Sequence, residues 1–136
     1  LFQYLGNGTD EAAALGFRRL AERQGESQRT DTSWQVPRAL RESEALQKEV
    51  FAAIAGPFMG RDRRRGQTCT WVSNHLADAL NNVSPRSFLA AIGRAAREPP
   101  KPPCALHWSG IQEGVRRASR IRVDEIQEDL PWATTR

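Results

Sequence analysis

The chain has 136 residues, of which 39% are hydrophobic and 26% are charged, a composition typical of one globular domain rather than of a disordered segment. No apolar run approaches the roughly 20 residues of a membrane-spanning helix, so we expect no membrane segment. The formal net charge is +4 and 18 of the 20 basic residues are Arg, which favours anionic partners such as nucleic acid, nucleotide phosphate or a lipid surface.

Two helices joined by a polar loop are predicted near the start of the chain. Thr9 or Asp10 can cap the first helix, which ends at Gly25. The polar stretch 26–34 predicts a loop, and Pro37 suits the first turn of the second helix. The apolar positions of the two helices are Ala13, Phe17, Leu20 and Ala21, followed by Leu46, Val50, Ala53 and Ile54.

A glycine-bounded basic loop, residues 58–68, follows the Gly56-Pro57 pair that ends the second helix. Residues 69–72 are predicted as a short extended piece. Ser73 is predicted to cap a short third helix, and Asn81-Asn82 turns the chain at its end. The apolar positions of this helix are Leu76, Ala77 and Leu80.

The fourth helix has the strongest local signals in the sequence. Ser84 is a good N-cap, Pro85 suits the first helical position, and Val83 can pack against Phe88 as a hydrophobic staple. Its buried face continues through Leu89, Ile92 and Ala96.

A fifth helix is predicted over residues 110–130, after a proline-rich linker that no helix can cross. Its apolar positions are Ile111, Val115, Ala118, Ile126 and Leu130. Residues 120–124 alternate as a strand does, so a break or a small β element near 120–126 stays open.

The predicted fold class is all-α, a compact bundle of about five helices with a small wing near 120–126 as the open alternative. The bundle covers residues 1–98, with a helix-turn-helix-like hairpin over 73–97. Residues 99–104 form the linker, and residues 105–136 a C-terminal helical segment that packs on the bundle.

No complete catalytic motif is present in the sequence. Residues 60–68 approach a phosphate-binding loop, but five residues separate the glycines and Gln67 stands where the motif needs Lys. No Gly-x-Ser-x-Gly element occurs, and no His stands beside a Cys or Ser in a nucleophile motif. The sequence therefore predicts no self-contained active site, and it leaves open whether the chain belongs to an enzyme.

Four soft ligands form a candidate zinc set, because two thiolates and two imidazoles suit tetrahedral zinc. The spacing between the first Cys and His is wider than in a zinc knuckle, so we predict no metal site. With only two cysteines, a reduced cytoplasmic compartment fits better than a disulfide framework. The set is Cys69, His75, Cys104 and His107.

Two arginine clusters are candidates for anion binding. The first, with Trp71 nearby, could contact a phosphate or a nucleic-acid backbone; a solvated loop is the alternative. The second is followed at once by acidic residues, and helix-surface ion pairs such as Arg120 with Asp124 explain much of it. The clusters are Arg61, Arg63, Arg64 and Arg65, and Arg116, Arg117, Arg120 and Arg122.

Residues 75–92 resemble the helix-turn-helix of bacterial regulators, in which a Leu-Ala-x-x-Leu helix precedes a Ser-capped recognition helix. The resemblance implies DNA binding, with four side chains facing the major groove. They are Ser84, Arg86, Ser87 and Ala90.

The run Asn82-Val83-Ser84-Pro85-Arg86 also resembles the Gly-Asn-x-Pro-Arg element in the helical lid of bacterial AAA+ and STAND-type P-loop ATPases. The resemblance extends in chain order over most of residues 50–132, towards the C-terminal parts of large P-loop ATPases. It implies that Arg86 senses the γ-phosphate of a nucleotide and that Ser84 holds the helix start. It also implies a P-loop core, in the same or a longer chain, that binds ATP and Mg, and a cytoplasmic location. A homo-oligomer is a further expectation.

The physics at the start of this helix favours an anion. A cation in the first turn is disfavoured by the helix dipole by roughly 0.3–1 kcal/mol, whereas backbone N–H groups beside a guanidinium suit a phosphate. The alternative is that Arg86 pairs with Asp78 or Asp62.

The predicted function is a non-catalytic lid or sensor portion of a larger ATPase, with no cofactor held by this chain alone. A helix-turn-helix DNA-binding domain and a plain protein-interaction bundle are the alternatives. The chain begins without Met, and residues 1–5 lack the features of a signal peptide. We therefore expect a piece of a longer protein.

Overall fold

The computed structural model describes residues 1–99, 101 and 104–129, and α-helices dominate them. This confirms the all-α prediction. None of the described helices is both long and apolar enough to cross a membrane. The helices are α1 (Phe2–Gly6), α2 (Glu11–Glu22), α3 (Arg38–Glu42), α4 (Glu44–Ala55), α5 (Thr68–Leu76), α6 (Pro85–Ala95) and α7 (Trp108–Asp129).

The chain divides into two compact units, Leu1–Phe51 and Ala52–Arg136, with the boundary inside α4. The proline-rich linker stays a prediction, because Pro100, Pro102 and Pro103 lie outside the described residues.

The first unit is built around Trp34, which is 2% exposed. The ring of Phe17 packs edge-on against it, with centroids 6.1 Å apart, and stacks on Phe2 at 5.8 Å. The side chain of Asn7 bonds both backbone groups of Trp34: its Oδ1 accepts from the Trp34 N–H and its Nδ2 donates to the Trp34 carbonyl, each at 2.8 Å. These tertiary contacts hold the chain extended where the sequence predicts a loop.

A short antiparallel hairpin therefore replaces part of the predicted loop over 26–34. Its strands are β1 (Gln28–Arg29) and β2 (Trp34–Gln35), and Arg29 lies opposite Trp34. The prediction was wrong here because polar composition predicts a turn but carries no information on the bonds between Asn7 and Trp34.

The helices of the first unit differ from the sequence prediction in number and in facing. The predicted second helix is divided at Ser43, which is extended and whose hydroxyl accepts from Leu46 N–H at 3.3 Å. In α2 the buried residues are Ala14, Phe17 and Ala21, and Ala13 is exposed. In α4 the buried face also differs from the predicted one: Val50, Phe51 and Ala55 are buried, whereas Ala53 is exposed.

The first helix of the second unit, α5, contains residues 69–72 and overturns the prediction of an extended piece. Thr68, its first residue, is 1% exposed and donates its hydroxyl proton to the Gly56 carbonyl at 2.8 Å. This buried bond fixes where the helix begins. Ser73 therefore lies inside the helix rather than at its cap, and Leu80, beyond its end, is 81% exposed.

Helix α6 begins at Pro85 after Ser84, as predicted, although the Ser84 hydroxyl caps no backbone N–H. Its buried residues are Ala91, Ile92 and Ala95, whereas Leu89 and Ala96 are exposed. Small residues on α6 and α7 allow the two helices to pack closely and antiparallel, with Ala95 beside Gly110 and Ala91 beside Gly114.

Residues 120–126 lie within the single helix α7, so of the alternatives that the sequence left open the continuous helix is the one that forms. Their alternation reflects side chains that reach solvent: Ile121, Val123 and Ile126 are 53%, 52% and 47% exposed. Ile126 is therefore not part of the buried face, and Leu130 lies outside the described residues.

Candidate functional site

The connection between α5 and α6 contains a hydrogen-bonded turn over residues 78–82. Asp78 organises it: the Oδ1 atom accepts from the backbone N–H of Leu80 and of Asn82, each at 2.9 Å. Asn81 has a φ of 62°, the left-handed region that Asn tolerates better than most residues. The N–H of Asn82 above all, and also Leu80 and Arg122, lower the pKa of the Asp78 carboxyl. Asp78 therefore stays charged and fixes the chain ahead of α6.

A cleft of about 400 Å³ lies between the start of α6 and the second half of α7. It brings together the four residues of the predicted DNA-binding set, and with them both predicted nucleotide-sensing residues. Sequence analysis missed the α7 side, because nothing in the local pattern indicates which part of α7 faces α6. The lining residues are Ser84, Arg86, Ser87 and Ala90 from α6, and Ala118, Ile121, Arg122 and Glu125 from α7.

Arg86 reaches solvent at the rim of this cleft. Its side chain is 86% exposed, and its Nη2 lies 3.6 Å from Glu125 Oε1. The alternative pairing with Asp78 or Asp62 was wrong, because α7 supplies the carboxylate. An exposed pair of this kind contributes little stability, so the guanidinium can exchange Glu125 for another anion at low cost.

Arg122 is held more firmly than Arg86. Its Nη1 donates to the Leu76 carbonyl at 3.3 Å, and its Nη2 lies 3.8 Å from Asp78 Oδ2. These contacts tie α7 to the end of α5 and to the turn that precedes α6.

The cleft has the composition of an anion site. Two guanidinium groups and the hydroxyls of Ser84 and Ser87 line it, against the single carboxylate of Glu125. Among the lining residues of this cleft there is no His, Cys or Lys. Charged donors at the start of a helix suit a phosphate oxygen.

The basic loop carries three of its four arginines on a 3-10 turn, Arg63–Arg65, capped by Asp62 Oδ1 at 2.9 Å from Arg64 N. Gly66 closes it with a φ of 86° and its carbonyl accepts from Met59 N–H at 2.9 Å. Within the described part of the chain, no carboxylate pairs with the loop's arginines. Those arginines are Arg61, Arg63, Arg64 and Arg65, and all of them are exposed.

The basic loop and Trp71 are near each other, as the sequence predicts. Arg65 and Trp71 line a cleft of about 300 Å³ together with Met59, Trp108 and Gln112. This cleft shares no lining residue with the one at Arg86. The two predicted basic contacts are therefore two separate surfaces.

The candidate zinc set is not assembled. Over residues 1–99, 101 and 104–129, no three His, Cys, Asp or Glu side chains come together as metal ligands. The Nδ1 atom of His75 lies 2.8 Å from the Trp71 carbonyl, and that of His107 lies 2.7 Å from Ser109 Oγ.

A groove between α5 and α7, of about 530 Å³, is a feature that sequence analysis missed. The Trp71 and His75 rings stack along one wall, with centroids 3.9 Å apart. Their separation by four residues is a helical signal that the predicted extended piece at 69–72 obscured. The lining residues are Trp71, His75, Gln112, Val115, Arg116, Ser119, Arg120, Val123 and Asp124.

The predicted ion pair between Arg120 and Asp124 does not form. Glu113 instead pairs with Arg116 at 2.6 Å and with Arg117 at 3.0 Å. These two bonds lower the pKa of the Glu113 carboxyl, chiefly through the bond from Arg117.

Comparison with known proteins gives no family assignment. No protein-family model, no curated protein and no solved structure matches this chain. The function is therefore inferred from the geometry of the clefts and from the resemblance carried by residues 82–86.

Proposed function

We propose that the chain is a non-catalytic helical portion of a larger cytoplasmic P-loop ATPase, in which Arg86 contacts the γ-phosphate of a nucleotide bound by a separate core. The observation that carries the proposal is the guanidinium of Arg86, which is 86% exposed at the first turn of α6 and, among the described residues, pairs with Glu125 at 3.6 Å. A group that must reach a ligand on another domain needs this freedom.

The composition of the cleft supports a sensing role. Arg86 and Arg122 supply positive charge, and Ser84 and Ser87 supply hydroxyl donors. The core would supply the P-loop Lys and the Mg site that this sequence lacks. Closing of the Arg86 cleft on the phosphate would then depend on whether the γ-phosphate is present, which passes the nucleotide state to neighbouring domains or subunits.

Two features give less support to DNA binding by a helix-turn-helix. Residues 77–84 separate α5 from α6, whereas the motif uses a turn of about three or four residues. The residues expected to read bases share their cleft with α7. The major groove is about 12 Å wide, so it admits one helix more readily than a packed pair.

The proposal is tested by replacing Arg86 in the whole ATPase. We expect Arg86→Ala to lower ATP turnover on the order of 10²-fold, the loss typical of a removed charge-stabilising donor. Arg97→Ala removes an exposed Arg just beyond α6 and should leave turnover unchanged. Equal turnover in the wild type and in Arg86→Ala would contradict the sensor role.

Duplex DNA binding by the chain separates the proposal from its alternatives. Tight binding that weakens steeply with salt and is lost in Arg86→Ala would support the helix-turn-helix. A plain interaction bundle predicts neither DNA binding nor an effect on turnover.

A further inference from the structure

Helix α7 carries a second face that is directed away from α6. Gly114, Ala118, Ile121 and Glu125 lie on the α6 side, with spacings of four, three and four residues. Val115, Ser119, Val123 and Ile126 recur with similar spacing on another side, so they form a separate helix face. Half of each side chain of Val123 and Ile126 is exposed, which leaves an apolar stripe uncovered.

This stripe continues the groove between α5 and α7. Val115, Ser119 and Val123 line the groove, opposite the stacked rings of Trp71 and His75. Ile126 is the next position along the same face and lies beyond the groove. The surface thus offers both an apolar cavity and, one turn further on, an exposed apolar side chain of a size that fits such a cavity.

The charges beside the stripe are arranged in two blocks. Arg116 and Arg120 precede Asp124 on the same flank, and all three line the groove. Although Arg120 and Asp124 are four residues apart, the spacing that favours pairing in one helix, no ion pair joins them within the described residues. Neither charge is neutralised by the other, and both side chains are exposed, so each can pair with a charge on a partner.

We propose that this face binds the same face of a second copy of the chain, with the two α7 helices antiparallel about a two-fold axis that crosses α7 at the level of residue 122. In a two-fold interface, residue i meets j and j meets i. Arg120 of each copy then lies opposite Asp124 of the other, because both are two residues from the axis. In a parallel pair this flank would face the opposite flank of the partner, so Arg120 and Asp124 would not meet.

The same axis accounts for the apolar side chains. The two Val123 side chains meet beside the axis. Ile126 of the second copy falls level with Ala118, and so enters the groove between Val115 and Ser119. This one arrangement covers the exposed apolar stripe, fills the groove and pairs Arg120 with Asp124. A second copy of the chain is the partner that provides the complementary side chains for all three contacts.

The first test is the mass of the full chain in solution, measured by sedimentation equilibrium over a range of concentrations. We expect a reversible dimer of about twice the chain mass of 15.2 kDa. Val123→Glu should give a monomer. Ile121→Glu is the matched control, since Ile121 is equally exposed on the same helix but faces α6, and it should leave the dimer intact. A wild-type chain that stays monomeric at every concentration overturns the proposal.

A charge exchange tests the antiparallel register. Arg120→Glu or Asp124→Arg alone should weaken the dimer about tenfold or more, because each sets like charges opposite one another at two places. The double variant should restore it, and a mixture of the two single variants should form the mixed dimer. If neither single variant changes the dissociation constant, the register is wrong.

Two other occupants are outcomes of the same experiments. The chain could instead be a monomer that binds an acidic amphipathic peptide or a single-stranded DNA. If Val123→Glu abolishes that binding, the peptide or the DNA occupies this face and a second copy of the chain does not. The pairing face and the Arg86 cleft lie on different sides of α7, so the two proposals can be contradicted separately. An unchanged ATP turnover in Arg86→Ala would contradict the sensor role alone, and an unchanged mass in Val123→Glu would contradict the dimer alone.

Discussion

Gly114 is a position at which α6 and α7 pack backbone against backbone. A Cβ atom added there would lie 2.2 Å from the carbonyl oxygen of Ala91. Because that oxygen belongs to the helix backbone, it cannot turn away as a flexible side chain would. The absence of a side chain at Gly114 is thus a condition of the α6–α7 packing rather than a source of flexibility.

We expect Gly114→Ala to destabilise the protein by about 1–3 kcal/mol, the usual result of overpacking. Gly93→Ala is the control: Gly93 lies in the same helix pair with nothing within 4 Å of its added Cβ, so it should gain up to about 1 kcal/mol from helix propensity. Urea unfolding of both variants measures the difference. Equal stabilities would mean that the helices are not packed this closely.

Asp78 makes the turn before α6 sensitive to acid. Its folded-state pKa lies below the usual 3.8, chiefly because the Asn82 N–H bonds the charged form. Its contribution to stability is thus fully present above that usual value and is lost as the pH falls through the lowered folded-state pKa. Asp78→Asn should lower the melting temperature at neutral pH and flatten the acid limb of its pH profile. Asp31→Asn, at an exposed hairpin position, is the control and should leave the melting temperature at neutral pH unchanged.

At the scale of elements, α7 begins with a histidine in the role of a cap. The Nδ1 atom of His107 accepts from Ser109 N–H at 3.3 Å and from the Ser109 hydroxyl at 2.7 Å, so the neutral ring carries its proton on Nε2. Burial first, and then the charge of Lys101, lower the pKa of His107 below its usual 6.5. Protonation at Nδ1 would remove the bond from the Ser109 N–H, because the ring nitrogen could then no longer accept it.

The stability that His107 contributes is therefore complete above pH 6.5 and declines as the pH falls towards its lowered folded-state pKa. His107→Ala should cost about 1 kcal/mol, as the loss of other caps does. His107→Asn keeps an acceptor and should restore most of that stability while removing this residue's part of the pH dependence. Melting curves between about pH 5 and 8 measure both effects. A His107→Asn profile that is as steep as the wild type would exclude the cap.

Local signals were enough to predict some elements and not others. The start of α6 follows from Ser84 and Pro85, which act within one turn. The start of α5 depends on the buried bond from Thr68 to Gly56, a contact over twelve residues that no periodicity shows. The same holds for the site: the sequence indicated Arg86, but Glu125 and Arg122 joined it only through helix packing.

At the scale of the whole molecule, the positive charge is concentrated in one unit. Residues 52–136 hold 13 basic and 8 acidic side chains, whereas residues 1–51 hold 7 and 8. Contact with a polyanion should therefore depend on the second unit, and within it on the exposed arginines of the basic loop.

We expect replacement of Arg61, Arg63, Arg64 and Arg65 by Gln to weaken heparin binding. The slope of the logarithm of the binding constant against the logarithm of the salt concentration should fall by roughly one for each lost contact. Replacement of four exposed arginines of the first unit, Arg19, Arg23, Arg38 and Arg41, is the matched control and should change little. Retention on a heparin column at several salt concentrations compares them. Equal losses from both sets would mean that binding is not localised.

The close packing of α6 on α7 has a mechanical consequence. Ala91 and Gly114 touch backbone to backbone, so neither helix can slide past the other without a collision, and well-packed interiors transmit strain rather than absorb it. A displacement of α6 caused by a contact at Arg86 would therefore also move α7, and with it Val123. A phosphate contact and a subunit contact on this pair would not be independent events.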